Sequence, residues 1–320
     1  MECGKASLLS ILPSVAACTE INRAQTRAGV LRLTKARFGC QLPQEISNFE
    51  KLAEVAQECE RLGYDSVWAY DHLAPYWTQR GESFECWTLL AAIAQRTKKI
   101  KLGSLVTNVN LRSPALLAKM TSTLDNISKG RLILGLGTGD SMSRGELLSY
   151  GYRFAGLDER VERLKETVII LKRLWTEDRT SFEGRYCKLS NAVNYPKPLQ
   201  TPHPPIWIGG KNPKILDIVA QMGDGWNYWG LSKELLAQRS RYLQEKCIET
   251  GRDPNQITKS WAGTLSHATR AGGKLTKLVD DIAAHLQSRV DHETKYFIAN
   301  LGSGAHLSMY EAFANAARRL

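Results

Sequence analysis

The sequence has no C-x-x-C pair, although it holds seven cysteines, at positions 3, 18, 40, 59, 86, 187 and 247. That absence excludes the common structural zinc motifs, and no metal site is expected. An odd, scattered set of thiols in a chain this long argues against a disulfide framework, so a reducing cytoplasm is the expected setting. Nor is there a run of about 20 apolar residues, the length that crosses a bilayer, and no membrane partner is expected. Disorder is excluded by a content of 43% hydrophobic residues. Acids are the scarcer charge, 32 against 43 bases, for a net +11. Such a balance first suggests a nucleic-acid partner. The bases, however, are mostly interleaved with acids, as in Glu159-Arg160-Val161-Glu162-Arg163. No helix-turn-helix, aromatic RNA-binding strand or basic zipper accompanies them. No nucleic-acid partner is expected, and an anionic small molecule suits the same charge.

Residues 1–37 read differently from the rest. They carry Lys5, Arg23, Arg27, Arg32, Lys35 and Arg37 against only Glu2 and Glu20. Their one apolar run, Leu8-Leu9-Ser10-Ile11-Leu12, stops at Pro13 and is short for a secretory signal. The plain reading is a poorly ordered extension before a single domain over 38–320, with an organellar transit peptide as the alternative.

From Arg37 onward, strand and helix signals alternate. Short apolar strands are predicted at 37–41, 66–70, 100–107, 132–136, 205–208, 226–228, 258–267 and 295–299. Ser47-Asn48-Phe49-Glu50 has the S-x-x-E pattern of a capping box. Ser113-Pro114 and Asn212-Pro213 read as N-caps followed by proline at the first helical position, and Asp158 as the cap of a long helix. Helices are also predicted over 84–95, 233–250, 274–287 and 307–319, and residues 180–195 form a hairpin outside the repeat. The strands are near-continuously apolar, as in a parallel sheet covered on both faces. Eight such units match a (β/α)8 TIM barrel, with an open doubly wound sheet as the alternative.

Such a barrel carries its chemistry at the C-terminal ends of its strands. There the sequence places Asp71-His72, Thr107-Asn108, Gly137-Thr138-Gly139-Asp140 and Gly209-Gly210-Lys211. Together they supply a carboxylate, an imidazole, hydroxyls and two glycine floors. Gly135-Leu136-Gly137-Thr138-Gly139 lacks the G-x-G-x-x-G spacing of a dinucleotide fingerprint. Its glycines instead permit close backbone approach to a flat ring, or simply a tight turn. Gly209-Gly210-Lys211 precedes a helix N-terminus, where an anion such as phosphate is favoured. Tyr76 and Trp77 could line a pocket, whereas Trp226 reads as core.

At these residues the chain resembles the luciferase-like monooxygenase superfamily, and within it the coenzyme F420-dependent oxidoreductases. The resemblance is carried by Glu60 through Trp68 with Asp71-His72, by Lys101 through Thr107, by Arg112 through Met120, by Gly130 through Gly139, by Tyr150-Gly151, and by His203 through Gly210 with Asp224 through Asn227. It implies a luciferase-like barrel, a homodimer, a small-molecule substrate and a deazaflavin (F420) or, alternatively, FMN at the strand ends. It further implies Asp71, Ser104, Leu105, Thr107, Asn108, Gly137, Gly139, Tyr150, Gly209 and Gly210 as cofactor-binding residues. A non-proline cis peptide is implied at Ser104-Leu105. His72 is the candidate proton-handling residue, since imidazole titrates near neutrality, and Asp140 is the second candidate. The chain departs from the family pattern at Glu146, where flavin-using relatives tend to have histidine. It departs again at Asp140-Ser141-Met142, which replaces a tryptophan, and in a shortened connection at Ala268–Leu275. The implied activity is hydride transfer between F420 and a small organic molecule. An FMN-dependent monooxygenase and a non-enzymatic flavin-binding barrel are the alternatives.

Overall fold

The computed structural model describes residues 36–320, apart from 47, 77, 79, 266–274 and 291–293. The extension 1–35, Ser47, Trp77 and most of the shortened connection therefore lie outside the described residues. Strands and helices are numbered in chain order. Eight parallel strands close into a barrel: β1 (Arg37–Gln41), β2 (Ser66–Ala69), β3 (Lys101–Ser104), β5 (Leu132–Gly137), β8 (Ile206–Gly209), β9 (Gly225–Trp229), β10 (Thr258–Thr264) and β11 (Tyr296–Asn300). The pairing of β3 with β5, Leu102 against Leu132, completes the circle and rules out an open sheet. A two-residue strand, β4 (Thr107–Asn108), pairs with the end of β5. Antiparallel β6 (Thr180–Glu183) and β7 (Lys188–Ala192) form the predicted hairpin.

The helices surround the barrel: α1 (Phe49–Arg61), α2 (Cys86–Arg96), α3 (Pro114–Ile127), α4 (Ser143–Ser149), α5 (Leu157–Thr176), α6 (Pro213–Met222), α7 (Lys233–Glu249), α8 (Leu275–Val290) and α9 (Leu307–Ala317). Among the described residues no helix is long and apolar enough to cross a membrane. Ser113 and Asn212 cap α3 and α6 as their sequence contexts predict, accepting from the N–H groups of Leu116 and Lys214. Two other caps differ. Asn48 accepts from Lys51 N–H at the start of α1. Gly156 precedes α5, so Asp158 sits inside the first turn, where its charge still faces the positive end of the helix dipole. The third predicted strand is also broken. Its backbone turns after Ser104 through a cis peptide at Leu105-Val106, one position later than implied, and resumes as β4.

Alternation along each strand separates two cores. Phe38 and Cys40 of β1 face the helices, whereas Trp68, Ile133, Trp207, Ala262, Tyr296 and Ile298 fill the barrel interior. The opposite, N-terminal end of the barrel is tied by carboxylates. Asp65 accepts from Phe38 N–H at 2.8 Å, Asp224 from Ile206 N–H at 2.8 Å, and Glu60 from the N–H groups of Lys98, Lys99 and Ile100. Glu60 and Asp65, the two acids of that stretch, thus secure strand starts, at the end of the barrel where sequence signals report stability.

The interior leaves little slack. A Cβ added at Gly103 would lie 2.2 Å from the Trp68 ring. Gly103→Ala is expected to cost about 1–3 kcal/mol by overpacking, read as a lower denaturation midpoint with an unchanged m-value. An unshifted midpoint would show that the Trp68 indole can move aside.

Candidate active site

The strand ends predicted from sequence meet on one rim because all eight strands run in parallel. Asp71, directly after β2, is buried. Its Oδ2 accepts from Asn108 N–H at 2.9 Å and from Arg112 Nη1 at 2.6 Å, and its Oδ1 accepts from Arg112 Nη2 at 2.9 Å. This two-pronged pair ties the end of β2 to β4 and to the loop that opens α3. Arg112 also lies 3.8 Å from Glu85. In this arrangement Asp71 is a structural clamp on the Asn108 segment, and Arg112 is a partner that no local signal assigned to it. Asn108 Oδ1 in turn accepts from the backbone and side chain of Asn110.

His72 is partly buried, and its Nδ1 lies 2.6 Å from Glu146 Oε2. The other oxygen of Glu146 accepts from the N–H groups of Leu73 and Ala74. Glu146 sits on α4, a seven-residue helix that the sequence reading did not predict. The helix has no side-chain cap and contains Gly145, so neither capping nor periodicity marks it. Burial pushes the Glu146 carboxyl up, but the His72 ring and the two backbone donors outweigh this and hold it below its usual range. The His72 ring packs edge-on against Tyr76, with centroids 4.7 Å apart. Tyr76 donates to Asp140 Oδ2 at 2.8 Å, and Asp140 Oδ1 accepts from Ser143 N–H and Oγ at 2.9 Å. Burial raises the Asp140 carboxyl, and the bonds from Ser143 and Tyr76 more than reverse that, so it stays ionised. Burial and Asp140 together push the Tyr76 phenol up. Tyr150, at the C-terminus of α4, is exposed and donates to Leu73 O at 3.2 Å.

The glycines of β5 and β8 face a side chain of the protein itself. A Cβ on Gly137 would lie 2.5 Å from Val106 Cγ2, and one on Gly209 would lie 3.0 Å from Val106 Cγ1. A Cβ on Gly135 would lie 2.0 Å from Ser104 O, while Ser104 Oγ donates to Gly135 O at 2.9 Å. These glycines therefore admit the Leu105-Val106 bulge, and Leu105 packs onto the interior cluster. Gly139 takes a positive φ of 70° beside the Asn108 amide. Thr107 Oγ1 is buried and has no hydrogen-bond partner. Gly210 N–H is already committed to Asn227 O at 3.1 Å, and Gly210 O accepts from Trp226 Nε1 at 2.7 Å. A cavity of about 350 Å³ lies to one side, lined by Asn110, Arg112, Tyr152, Arg163, Glu166 and Tyr186 among others. It shares Arg112 with the Asp71 clamp but contains neither His72 nor Glu146.

The sequence model of the luciferase-like monooxygenases matches residues 29–317. The chain belongs to this family. It is 36% identical to an F420-dependent glucose-6-phosphate dehydrogenase of Kineococcus radiotolerans over 177 residues, 55% of this chain and 51% of the relative. It is 32% identical to an F420-dependent hydroxymycolic acid dehydrogenase of Mycobacterium tuberculosis over 189 residues, 59% of this chain and 51% of the relative. The chain thus spans about half the length of these relatives, 51% in each case. A solved F420-dependent secondary alcohol dehydrogenase, in complex with an F420-acetone adduct, superposes with a TM-score of 0.76 at 19% identity. That match covers 88% of this chain and 98% of the other, and it shows a shared fold.

Within this luciferase-like barrel, Gly210 is confined by the helix that follows it. A Cβ there would meet Ile215 Cδ1 of α6 at 2.8 Å, on a backbone with φ of +142°. Gly210→Ala is expected to destabilise by about 1–3 kcal/mol. In an Ile215→Ala background the added cost should shrink by at least about 0.5 kcal/mol, the steric share. A four-protein denaturation cycle measures this, and strictly additive costs would leave the φ alone responsible.

Proposed function

We propose that this protein is an F420-dependent oxidoreductase acting on a hydroxyl-bearing small molecule, with His72 as its proton-handling residue. The observation that carries the reading is the cluster of His72, Tyr76 and Asp140 on the C-terminal rim of a luciferase-like barrel. The relatives' names, each an F420-dependent dehydrogenase, support the cofactor and the class of reaction.

The residues present fit a deazaflavin. The buried, unpartnered Thr107 hydroxyl stands at the end of β4, where a ring edge with hydrogen-bonding groups would satisfy it. In the proposed site Ser104, Leu105, Thr107 and Asn108 border the ring, with Gly137 and Gly139 on the β5 side and Tyr150 at the margin. Gly209, Gly210 and Lys211 lie toward the phosphate. Because Gly210 N–H is taken by Asn227, the phosphate is left to Lys211 and the N-terminus of α6. When bound, F420 supplies two-electron hydride exchange. The protein's own part is proton transfer at the substrate hydroxyl. Nε2 of His72, the ring nitrogen opposite the one engaged by Glu146, accepts the proton as the alcohol is oxidised and returns it in reverse. Asp140 stays ionised and fixes Tyr76 against the imidazole. Glu146 replaces the histidine that flavin-using relatives tend to carry, which favours the deazaflavin over FMN.

Titration with F420 and with FMN separates the readings. F420 is expected to bind at least about tenfold more tightly, roughly 1.4 kcal/mol. His72→Ala should leave the F420 dissociation constant within about tenfold while lowering turnover by ~10²-fold or more. Tighter FMN binding would favour the monooxygenase, binding of neither would leave the non-enzymatic barrel, and full turnover in a folded His72→Ala protein would remove His72 from the chemistry.

A further inference from the structure

The geometry points to Glu146 as a positioning residue that selects the tautomer of His72. We infer that its carboxylate holds the neutral imidazole with the proton on Nδ1, so that Nε2 is presented to the site as a bare acceptor. Three observations support this. Glu146 Oε2 lies 2.6 Å from His72 Nδ1, and an ionised carboxylate can only accept a hydrogen bond. Glu146 Oε1 is occupied by Leu73 and Ala74 N–H, so the carboxylate cannot rotate away without stranding two backbone donors. Glu146 is also buried, with a side-chain exposure of 6%, which strengthens the pairing relative to one in water. Among the described residues, the other ionisable groups around the imidazole are Tyr76 and Tyr70, whose rings make edge-type contacts with it, and Asp140, whose charge also acts on it. Glu146 is the one whose oxygen bonds directly to the ring nitrogen. It therefore decides which nitrogen carries the proton.

Glu146→Gln preserves the shape of the side chain and inverts one hydrogen bond. The amide oxygen can still accept from Leu73 and Ala74. The amide nitrogen then faces Nδ1 as a donor, so the neutral ring must carry its proton on Nε2. A flipped amide would set its NH₂ against two backbone N–H groups and is disfavoured.

Long-range ¹H–¹⁵N correlation spectra of the ¹⁵N-histidine-labelled protein read the tautomer. The chain has six histidines, and the spectrum of His72→Ala identifies the relevant signals. The expected result is Nδ1–H in the wild type and Nε2–H in Glu146→Gln. Glu146→Asp, with its carboxylate drawn back, should retain Nδ1–H with a raised Nε2–H share, and it serves as the comparison if the glutamine variant does not fold. An Nε2–H ring in the wild type, or one tautomer share across all three proteins, overturns the inference.

The catalytic consequence rests on the reading of His72 given above. There, F420-linked turnover should fall by ~10²-fold or more in Glu146→Gln, with partial recovery in Glu146→Asp and cofactor affinity within about threefold of wild type. An inverted tautomer with undiminished turnover overturns the catalytic part. Failure of the wild type to turn over any alcohol with F420 would sink the proposed function. The tautomer spectra would still decide the positioning of His72.

Discussion

Closing eight parallel strands forces their inward side chains to fill one shared space, and the rest of the molecule is arranged around how that space is filled. Trp68 meets Trp207 at 5.1 Å and Tyr296 at 6.4 Å between ring centroids. Ser66 Oγ, within the same layer, accepts from Trp68 Nε1 and Tyr296 Oη at 2.6 and 2.7 Å. The two indoles have room because Gly39 and Gly103 beside Trp68, and Gly225 beside Trp207, carry no Cβ to oppose them. Toward the C-terminal ends the composition changes to Gly135, Gly137 and Gly209, packed around Val106. Bulk sits low in the barrel, and small residues and a backbone bulge sit high.

On the rim, two carboxylates with little exposure to water hold the segment that carries His72. Asp71 is neutralised by Arg112, and Glu146 is paired with the imidazole and two backbone N–H groups. A buried charge is strongly unfavourable when unpaired, so each carboxylate fixes the position of its partners. Residues 71–74 are thereby held from β4 on one side and from α4 on the other. The imidazole between them has a defined neighbour at Nδ1 and the Tyr76 ring in an edge-type contact beside it. Such pre-organisation is what the proton transfer proposed for His72 would use.

The repeat of strand and helix was legible because it depends on local pattern: apolar runs of strand length, proline at helix starts, glycine after helix ends. Asp71, His72, Thr107 and Asn108 were legible as rim residues because their positions follow from the strand count. What the local pattern could not supply was pairing. Glu146 is 74 residues from His72, and Arg112 is 41 from Asp71. No spacing rule connects such distances. The short helix α4 lacked a cap, and the break in the third strand lay in a sequence, Leu105-Val106, with strong strand character.

The glycines show the boundary between the two kinds of information most clearly. Read along the chain, Gly135, Gly137, Gly209 and Gly210 stand near predicted strand ends, where a small residue suits a close approach or a tight turn. What an added side chain would meet there emerges with closure of the barrel. For Gly137 and Gly209 it is Val106, and for Gly210 it is Ile215 of the following helix. The physical reason is that conformational permissiveness belongs to one residue and is visible in its identity. Steric exclusion belongs to a pair, and the second member is chosen by closure of the barrel.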